Sequence, residues 1–238
     1  MVLISPLTGK ISVLCRIADL LVDVSVAGGI APRLKPYETE KIEDAQIVIT
    51  EDMYRPEKEP TLSEEGVAYV QSGWIFYSRL IRYSGMMLHA SAVELNGEAY
   101  LFSGPSGMGK STHTKMWENL FPGARVFNDD KPALRLLDGN WYAYGTPWSG
   151  KGENINLKAP LKAICFLRRG EKPSIRRLSP IEALSAITDQ TIVRFHNPEL
   201  MDLLAELLNS LLDKVPVYEL IATKDPDSAL LSHRVMTQ

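Results

Sequence analysis

Leu88-His89-Ala90-Ser91-Ala92-Val93-Glu94-Leu95, then Asn96-Gly97, then Glu98-Ala99-Tyr100-Leu101-Phe102, and then Gly104-Pro105-Ser106-Gly107-Met108-Gly109-Lys110-Ser111: this stretch decides the fold. Two short strand-like runs around Asn96-Gly97 predict a β-hairpin, because a type I′ turn needs positive φ at both central residues. The last eight residues fit the G-x-x-x-x-G-K-[ST] pattern of a phosphate-binding loop. Ala99 to Phe102 supply the apolar strand such a loop follows, and the residues after Lys110 read as the helix it opens. The strand feeding the loop therefore arrives from an antiparallel hairpin, unlike the parallel β-α-β entry of most phosphate loops. The expected fold class is α/β, a mixed sheet with this antiparallel entry and with flanking helices.

The chemistry follows from the residue types. Gly104, Gly107 and Gly109 let successive N–H groups face inward, and with the positive end of the next helix they can cradle a polyphosphate. The expected cradle is Gly104, Ser106, Gly107, Met108, Gly109, Lys110, Ser111 and Thr112. Lys110 sets a point charge on the outer phosphates and Ser111 offers a hydroxyl to Mg²⁺, so ATP and Mg²⁺ are the expected cofactors. About twenty residues on, Asp129-Asp130 ends an apolar strand. Mg²⁺ prefers oxygen ligands, so one carboxylate suits the metal and the other suits deprotonating an attacking hydroxyl. Which does which is open; Ser111 with Asp130 is the working metal pair. His89, on the hairpin strand beside the loop, is a candidate catalytic or phosphate-contacting residue. His113, on the helix just behind Lys110, faces either the nucleotide base or solvent, with solvent the favoured reading; His196 and His233 read as structural or solvent-facing.

Gly145 to Asn154 reads as a loop with an exposed-looking Trp148, and such loops often carry ligand contacts. Within it Lys151 is a candidate for neutralising charge on the transferred group, and Glu153 for adding to the metal site. Arg168-Arg169, at the end of an apolar strand, either adds phosphate charge or is merely solvated.

Working outward, Ile11–Cys15, Leu20–Val26 and Gln46–Thr50 look like strands, and Arg55–Pro60 like an exposed connection. Ser63 as N-cap followed by Glu64-Glu65 predicts a helix to about Tyr83. Val67, Val70, Trp74, Phe76, Tyr77, Leu80 and Ile81 would form its core stripe, with Gly73 as a break. Past the loop come a helix to Leu120, a strand Ala124–Phe127, and a hairpin around Asp138-Gly139. Strands Leu161–Leu167, Ser174–Leu178 and Val217–Ala222 follow, with helices from Pro180, from Pro198 and after Asp225. The expected division is an N-terminal part, 1–85, and a phosphate-loop core, 86–238.

The 238 residues, 45% hydrophobic and 23% charged, suit a globular chain with a real core. A net charge of −3 gives no basic field for nucleic acid or anionic membranes, so neither is an expected partner. Cys15 and Cys165 sit in apolar runs without metal-ligand spacing. No apolar stretch approaches the roughly 20 residues that span a bilayer, and the first residues carry no export signal; a cytoplasmic location is expected.

The run His89 … Gly104–Ser111 … Asp129-Asp130 resembles the HPr kinase/phosphorylase family, of the phosphoenolpyruvate-carboxykinase-like group of phosphate-loop kinases. The specific motifs cover roughly Leu88 to Leu137. The resemblance implies the mixed sheet, an active-site role for His89 and the acid pair, and an aspartate acting as base on a serine hydroxyl. It also makes a homo-oligomer plausible. The chain departs from the family where Thr112-His113-Thr114 follow the loop in place of a Glu. It departs again where Thr146-Pro147-Trp148-Ser149-Gly150-Lys151 stands in the region of a Glu-Ile-Arg-Gly segment. It is similar to the small HPr-kinase-like proteins that accompany peptide-modification genes. The expected function is an Mg²⁺-ATP kinase acting on a hydroxyl of a small protein, peptide or metabolite, with HPr itself not implied. A nucleotide-binding partner protein with little activity is the alternative, and a carboxykinase reaction a third.

Overall fold

The computed structural model describes residues 3–4, 11–25, 29–40, 44–191 and 197–238. Two of the expectations above, strand residue Val26 and His196, lie outside these.

A nine-stranded mixed sheet forms the centre. Seven strands run in the order β5 (Gly85–Met87), β9 (Ala133–Leu137), β10 (Asn140–Tyr144), β11 (Lys158–Arg169), β7 (Glu98–Ser103), β6 (Ala90–Leu95) and β8 (Arg125–Asn128). β13 (Val217–Ala222) pairs in parallel with the C-terminal half of β11, and β12 (Ser174–Arg177) pairs with β13. β11 and β7 are parallel, while β6 is antiparallel to both of its neighbours, β7 and β8. The predicted hairpin is β6–β7, with φ of 55° at Asn96 and 82° at Gly97, as a type I′ turn requires.

Side chains alternate across this sheet, as the two-residue strand period dictates. Leu101, Ile164 and Phe166 face helices α4 (Pro180–Thr188) and α5 (Pro198–Lys214) in one core. Tyr100, Phe102, Ala163 and Cys165 face Trp117 of α3 (Lys110–Leu120) and Ala229 of α6 (Pro226–Met236) in another. The sheet is thus sandwiched between two helical layers. Ser179 caps α4 through a full capping box with Glu182, and Pro180 sits at its start.

A second sheet, β1 (Leu3–Ile4), β2 (Ile11–Ile17), β3 (Leu20–Ser25) and β4 (Ile47–Ile49), is followed by α2 (Glu64–Leu80); the short α1 (Ala31–Leu34) precedes β4. Its core includes Val22, Ile49, Phe76 and Tyr77 together with Ala133, Tyr144 and Trp148 from the later chain.

Three sequence expectations are corrected here. Gly73 does not break α2, which runs unbroken to Leu80 because that glycine lets the helix approach the Trp148 indole. Val70 and Trp74 lie on the exposed side of α2, so its core stripe is narrower than the aromatic pattern suggested. Trp148 is fully buried: it stacks on Phe76 at 4.9 Å and its Nε1 donates to Ser72 Oγ at 3.0 Å. The segment it opens is a packed connection, with Gly145 to Ser149 buried. Among the described residues no helix is long and apolar enough to cross a membrane.

Candidate functional site

Strand pairing brings the marked residues to one end of the sheet. β7 runs into Gly104–Gly109, and α3 begins at Lys110 with Gly109 as its left-handed N-cap. φ is 75° at Gly107 and 105° at Gly109, and a Cβ at either would meet nothing within 4 Å. These glycines are needed for backbone shape, then, and the space beside them is open. Ser106, Ser111 and Thr112 are exposed, and Met108 is half-buried. The Lys110 side chain folds back beneath the loop, where Nζ donates to Gly104 O at 2.8 Å and Pro105 O at 3.2 Å. Burial holds the Lys110 pKa below its ordinary value, against the pull of the Asp130 and Asp129 carboxylates.

Those carboxylates arrive on β8, the far neighbour of β6. Asn128, buried opposite Ala92, turns the chain there: its Oδ1 accepts from the N–H groups of Asp130 (3.2 Å) and Lys131 (2.9 Å), and its Nδ2 donates to Thr146 Oγ1 at 3.1 Å. The adjacent aspartates diverge, as neighbours leaving a strand should. Asp130 Oδ1 lies 3.4 Å from His89 Nε2, while Oδ2 accepts from Tyr69 OH at 3.3 Å and pairs with the Lys131 ammonium. Asp129 donates its N–H to Ser149 Oγ at 3.2 Å, and its Oδ1 is buried with no hydrogen-bond partner.

His89 is held from both sides. Its N–H donates to Gln190 O at 2.8 Å, its carbonyl accepts from Ser103 Oγ at 2.8 Å, and Nδ1 lies 3.2 Å from Gln190 Oε1. Burial first, then the Lys110 charge, lowers its pKa from the ordinary histidine value against the pull of Asp130, and so favours the neutral imidazole.

The Ser149–Gly152 turn covers the acid pair. A Cβ on Gly150 would come 3.0 Å from Asp130 Cβ, and one on Gly152 3.0 Å from Asp129 Cβ. Tyr69 on α2 fastens this turn, accepting from Gly150 N at 2.9 Å, and Arg33 donates to Gly150 O at 3.0 Å while lying 4.6 Å from the Tyr69 ring. Burial pushes the Tyr69 phenol up to about 12, so it stays a neutral donor.

His89, Lys110, Asp129 and Asp130 thus come together. Lys151, exposed in the turn that packs on Asp129 and Asp130, makes no hydrogen bond or ion pair among the described residues. The Glu153 side chain is exposed; only its backbone carbonyl joins the turn, through Ser149 Oγ at 3.0 Å. Arg169 donates to Gly107 O at 2.5 Å, whereas Arg168 turns to Glu219. His113, expected above to face the nucleotide base or solvent, is instead a buried core histidine on α3, 2.9 Å from Ser232 Oγ, and burial lowers its pKa to about 4. Asn128, Tyr69, Arg33 and Gln190 were missed. Tyr69 and Arg33 lie far upstream with no motif around them, and Gln190 follows an unremarkable helix.

Cavities flank the loop. One, of about 540 Å³, lies between Gly107–Gly109, the first turn of α3 and the Ala222–Asp225 turn. On the other side a 490 Å³ cavity runs along α4 from Gly104-Pro105, and a 340 Å³ one lies over His89 and Asp130.

Residues 57–223 match the family model described as SynChlorMet cassette protein ScmC. The chain belongs to the ScmC family. The matched span includes α2, the hairpin, the glycine loop and the acid pair. No curated protein matches the sequence. Among solved structures it is similar to the HPr(Ser) kinase/phosphatase from Coxiella burnetii. The identity is 12%, the match covers 63% of this chain and 97% of that one, and the TM-score is 0.37, a distant likeness. The family model is that of ScmC and not of a kinase family.

Among the described residues no group of three or more His, Cys, Asp or Glu side chains could hold a metal by itself. A magnesium–nucleotide site needs only one or two carboxylates, the phosphates and water supplying the rest. The unsatisfied, buried Asp129 Oδ1 is an oxygen donor of the kind Mg²⁺ takes, so the residues fit that ion.

Proposed function

We propose that this ScmC-family chain is an Mg²⁺-ATP-dependent kinase that transfers a γ-phosphoryl group to a hydroxyl, a serine first, of a small protein, peptide or metabolite. One observation carries the reading: the pairing β7–β6–β8 sets Lys110 and the glycine loop within electrostatic reach of Asp129, Asp130 and His89.

The loop N–H groups and Lys110 hold the outer phosphates, with Arg169 behind Gly107. Lys110 leaves the Gly104 and Pro105 carbonyls to do so. Asp129 and Ser111 would hold Mg²⁺, which would neutralise charge on the phosphates. The working assignment of the metal to Asp130 is the weaker one, because both its oxygens already face partners while Asp129 Oδ1 has none. Asp130 takes the acceptor hydroxyl proton as the acceptor oxygen bonds to the γ-phosphorus. The bond to the β–γ bridging oxygen breaks, and ADP leaves. His89, neutral and beside Asp130, orients the hydroxyl. Lys151, free and close by, neutralises the charge in transit. The covering turn and Tyr69 keep water from the acid pair.

A second reading, nucleotide binding without transfer, is favoured by the Lys131 ammonium on Asp130, which must release before that carboxylate takes a proton. γ-Labelled ATP with Mg²⁺ and a fractionated lysate separates the two. Label in one acceptor with wild type, absent with Lys110→Ala and Asp130→Asn, supports the kinase. ATP bound and never transferred supports the second reading, and transfer undiminished in Lys110→Ala refutes both.

A further inference from the structure

Among the described residues, the acceptor side of the site carries one charge that no side chain answers. α4 ends with Asp189 as its C-cap, and no basic residue stands in its last turn. The carboxyl end of a helix is itself negative, so a carboxylate there is repelled where Lys, Arg or His is favoured. Asp189 is exposed, and among the described residues its side chain makes no hydrogen bond or ion pair. It lines both acceptor-side cavities, the 490 Å³ one along α4 and the 340 Å³ one over His89 and Asp130. Every other charged side chain on those two cavities is engaged. Lys131 and His89 face Asp130, Arg168 and Arg176 face Glu219, and Arg176 also faces Glu182. Asp189 is also held in place, because the next residue, Gln190, is fastened to His89 through backbone and side chain.

We propose that Asp189 is a specificity residue of the acceptor site, taking an ammonium or guanidinium group carried by the hydroxyl-bearing acceptor. The proposal rests on the kinase reading and names the acceptor's chemistry: a hydroxyl with a cation a few ångströms away. A serine flanked by Lys or Arg in a peptide has it, and so does a small amino alcohol. The peptide would extend from Asp130 past Asp189 into the cavity along α4, whereas the amino alcohol would fill only the 340 Å³ cavity over His89 and Asp130.

The test uses the full chain with Mg²⁺ and γ-labelled ATP. The acceptors are three peptides, Ala-Lys-Ser-Lys-Ala, Ala-Ala-Ser-Ala-Ala and Ala-Glu-Ser-Glu-Ala, together with ethanolamine. Wild type is run beside Asp189→Asn and Asp189→Lys, and binding of the fluorescein-labelled peptides is followed in parallel by anisotropy. An exposed ion pair implies that the lysine peptide has a KM about two- to five-fold lower than the neutral one, a preference that shrinks with salt. Asp189→Asn is expected to erase that preference with kcat unchanged, and Asp189→Lys to transfer it to the glutamate peptide. Labelling of ethanolamine in place of the lysine peptide identifies the small source, with the same dependence on Asp189. A wild-type preference for the neutral or acidic peptide, or a cationic preference that survives Asp189→Asn, overturns the proposal. If none of these four acceptors is labelled, the kinase reading is decided separately by the lysate assay. The anisotropy then still decides Asp189: tighter binding of the lysine peptide that Asp189→Asn abolishes upholds it, and equal or absent binding overturns it.

Discussion

Gly73→Ala tests how α2 and the site turn are joined. On an exposed helix surface this change stabilises by about 1 kcal/mol, since glycine is the poorer helix former by that amount. Here the new Cβ would stand 2.9 Å from Trp148 Cδ1 and 3.1 Å from Cγ and Nε1. The indole has no easy retreat: it is fully buried, stacked on Phe76, edge-on to Tyr77 and bonded to Ser72. Overpacking of a dense core costs about 1–3 kcal/mol. Setting the helix gain against it leaves a net destabilisation of about 1 kcal/mol. For a chain of 238 residues that is a fall of about 2–4 °C in Tm. Urea unfolding is the assay, and the midpoint should fall with the slope unchanged. Any shift of Trp148 drags Ser149, which holds Asp129 N–H, so MgATP affinity should fall in the same variant. Trp148→Ala removes all three ring atoms that clash, so in that background Gly73→Ala should be neutral or stabilising, a coupling a double-mutant cycle reads directly. A Gly73→Ala protein about 1 kcal/mol more stable than wild type would refute the reasoning, because it would mean that helix propensity alone governs the position.

Two further outcomes are expected. Buried His113 has its pKa lowered from 6.5 to about 4, so between those values the unfolded chain binds the proton the native one refuses. Stability is therefore full above pH 6.5 and falls as pH drops toward 4, by about 3 kcal/mol from this group; urea midpoints at pH 7 and 4.5 measure it, and His113→Phe should remove this share of the fall. Tyr69→Phe takes a donor from Asp130 and leaves Gly150 N–H without its acceptor, which should cost about 1–2 kcal/mol in urea unfolding and slow phosphoryl transfer with little change in ATP affinity.

Much of the frame was legible because it is written in local chemistry. Asn96-Gly97 requires a tight turn whatever surrounds it, and the apolar runs beside it pair into β6 and β7. Ser179-Pro180 and Asn197-Pro198 mark helix starts through capping groups two or three residues away. The glycines and Lys110 lie between strand and helix for the same local reason. What failed was burial. Trp148 sits among glycines, a serine and a lysine, and composition reads such a segment as surface; α2, some 70 residues earlier in the chain, covers it. Trp74 and Val70 fit a helical spacing but lie on the face that nothing covers.

The sequence by itself determined the antiparallel entry to the glycine loop, the loop's own residues and the acid pair, because turn chemistry, capping and strand period act over a few residues. Only the tertiary structure decided the rest. It separated Asp129, with an unsatisfied oxygen, from Asp130, surrounded by His89, Tyr69 and Lys131. It brought Tyr69 and Arg33 onto Gly150, and Gln190 onto His89. These partners are about 80 to 120 residues apart in the chain, so no local pattern specifies them. Their meeting follows from which strands pair and which faces pack.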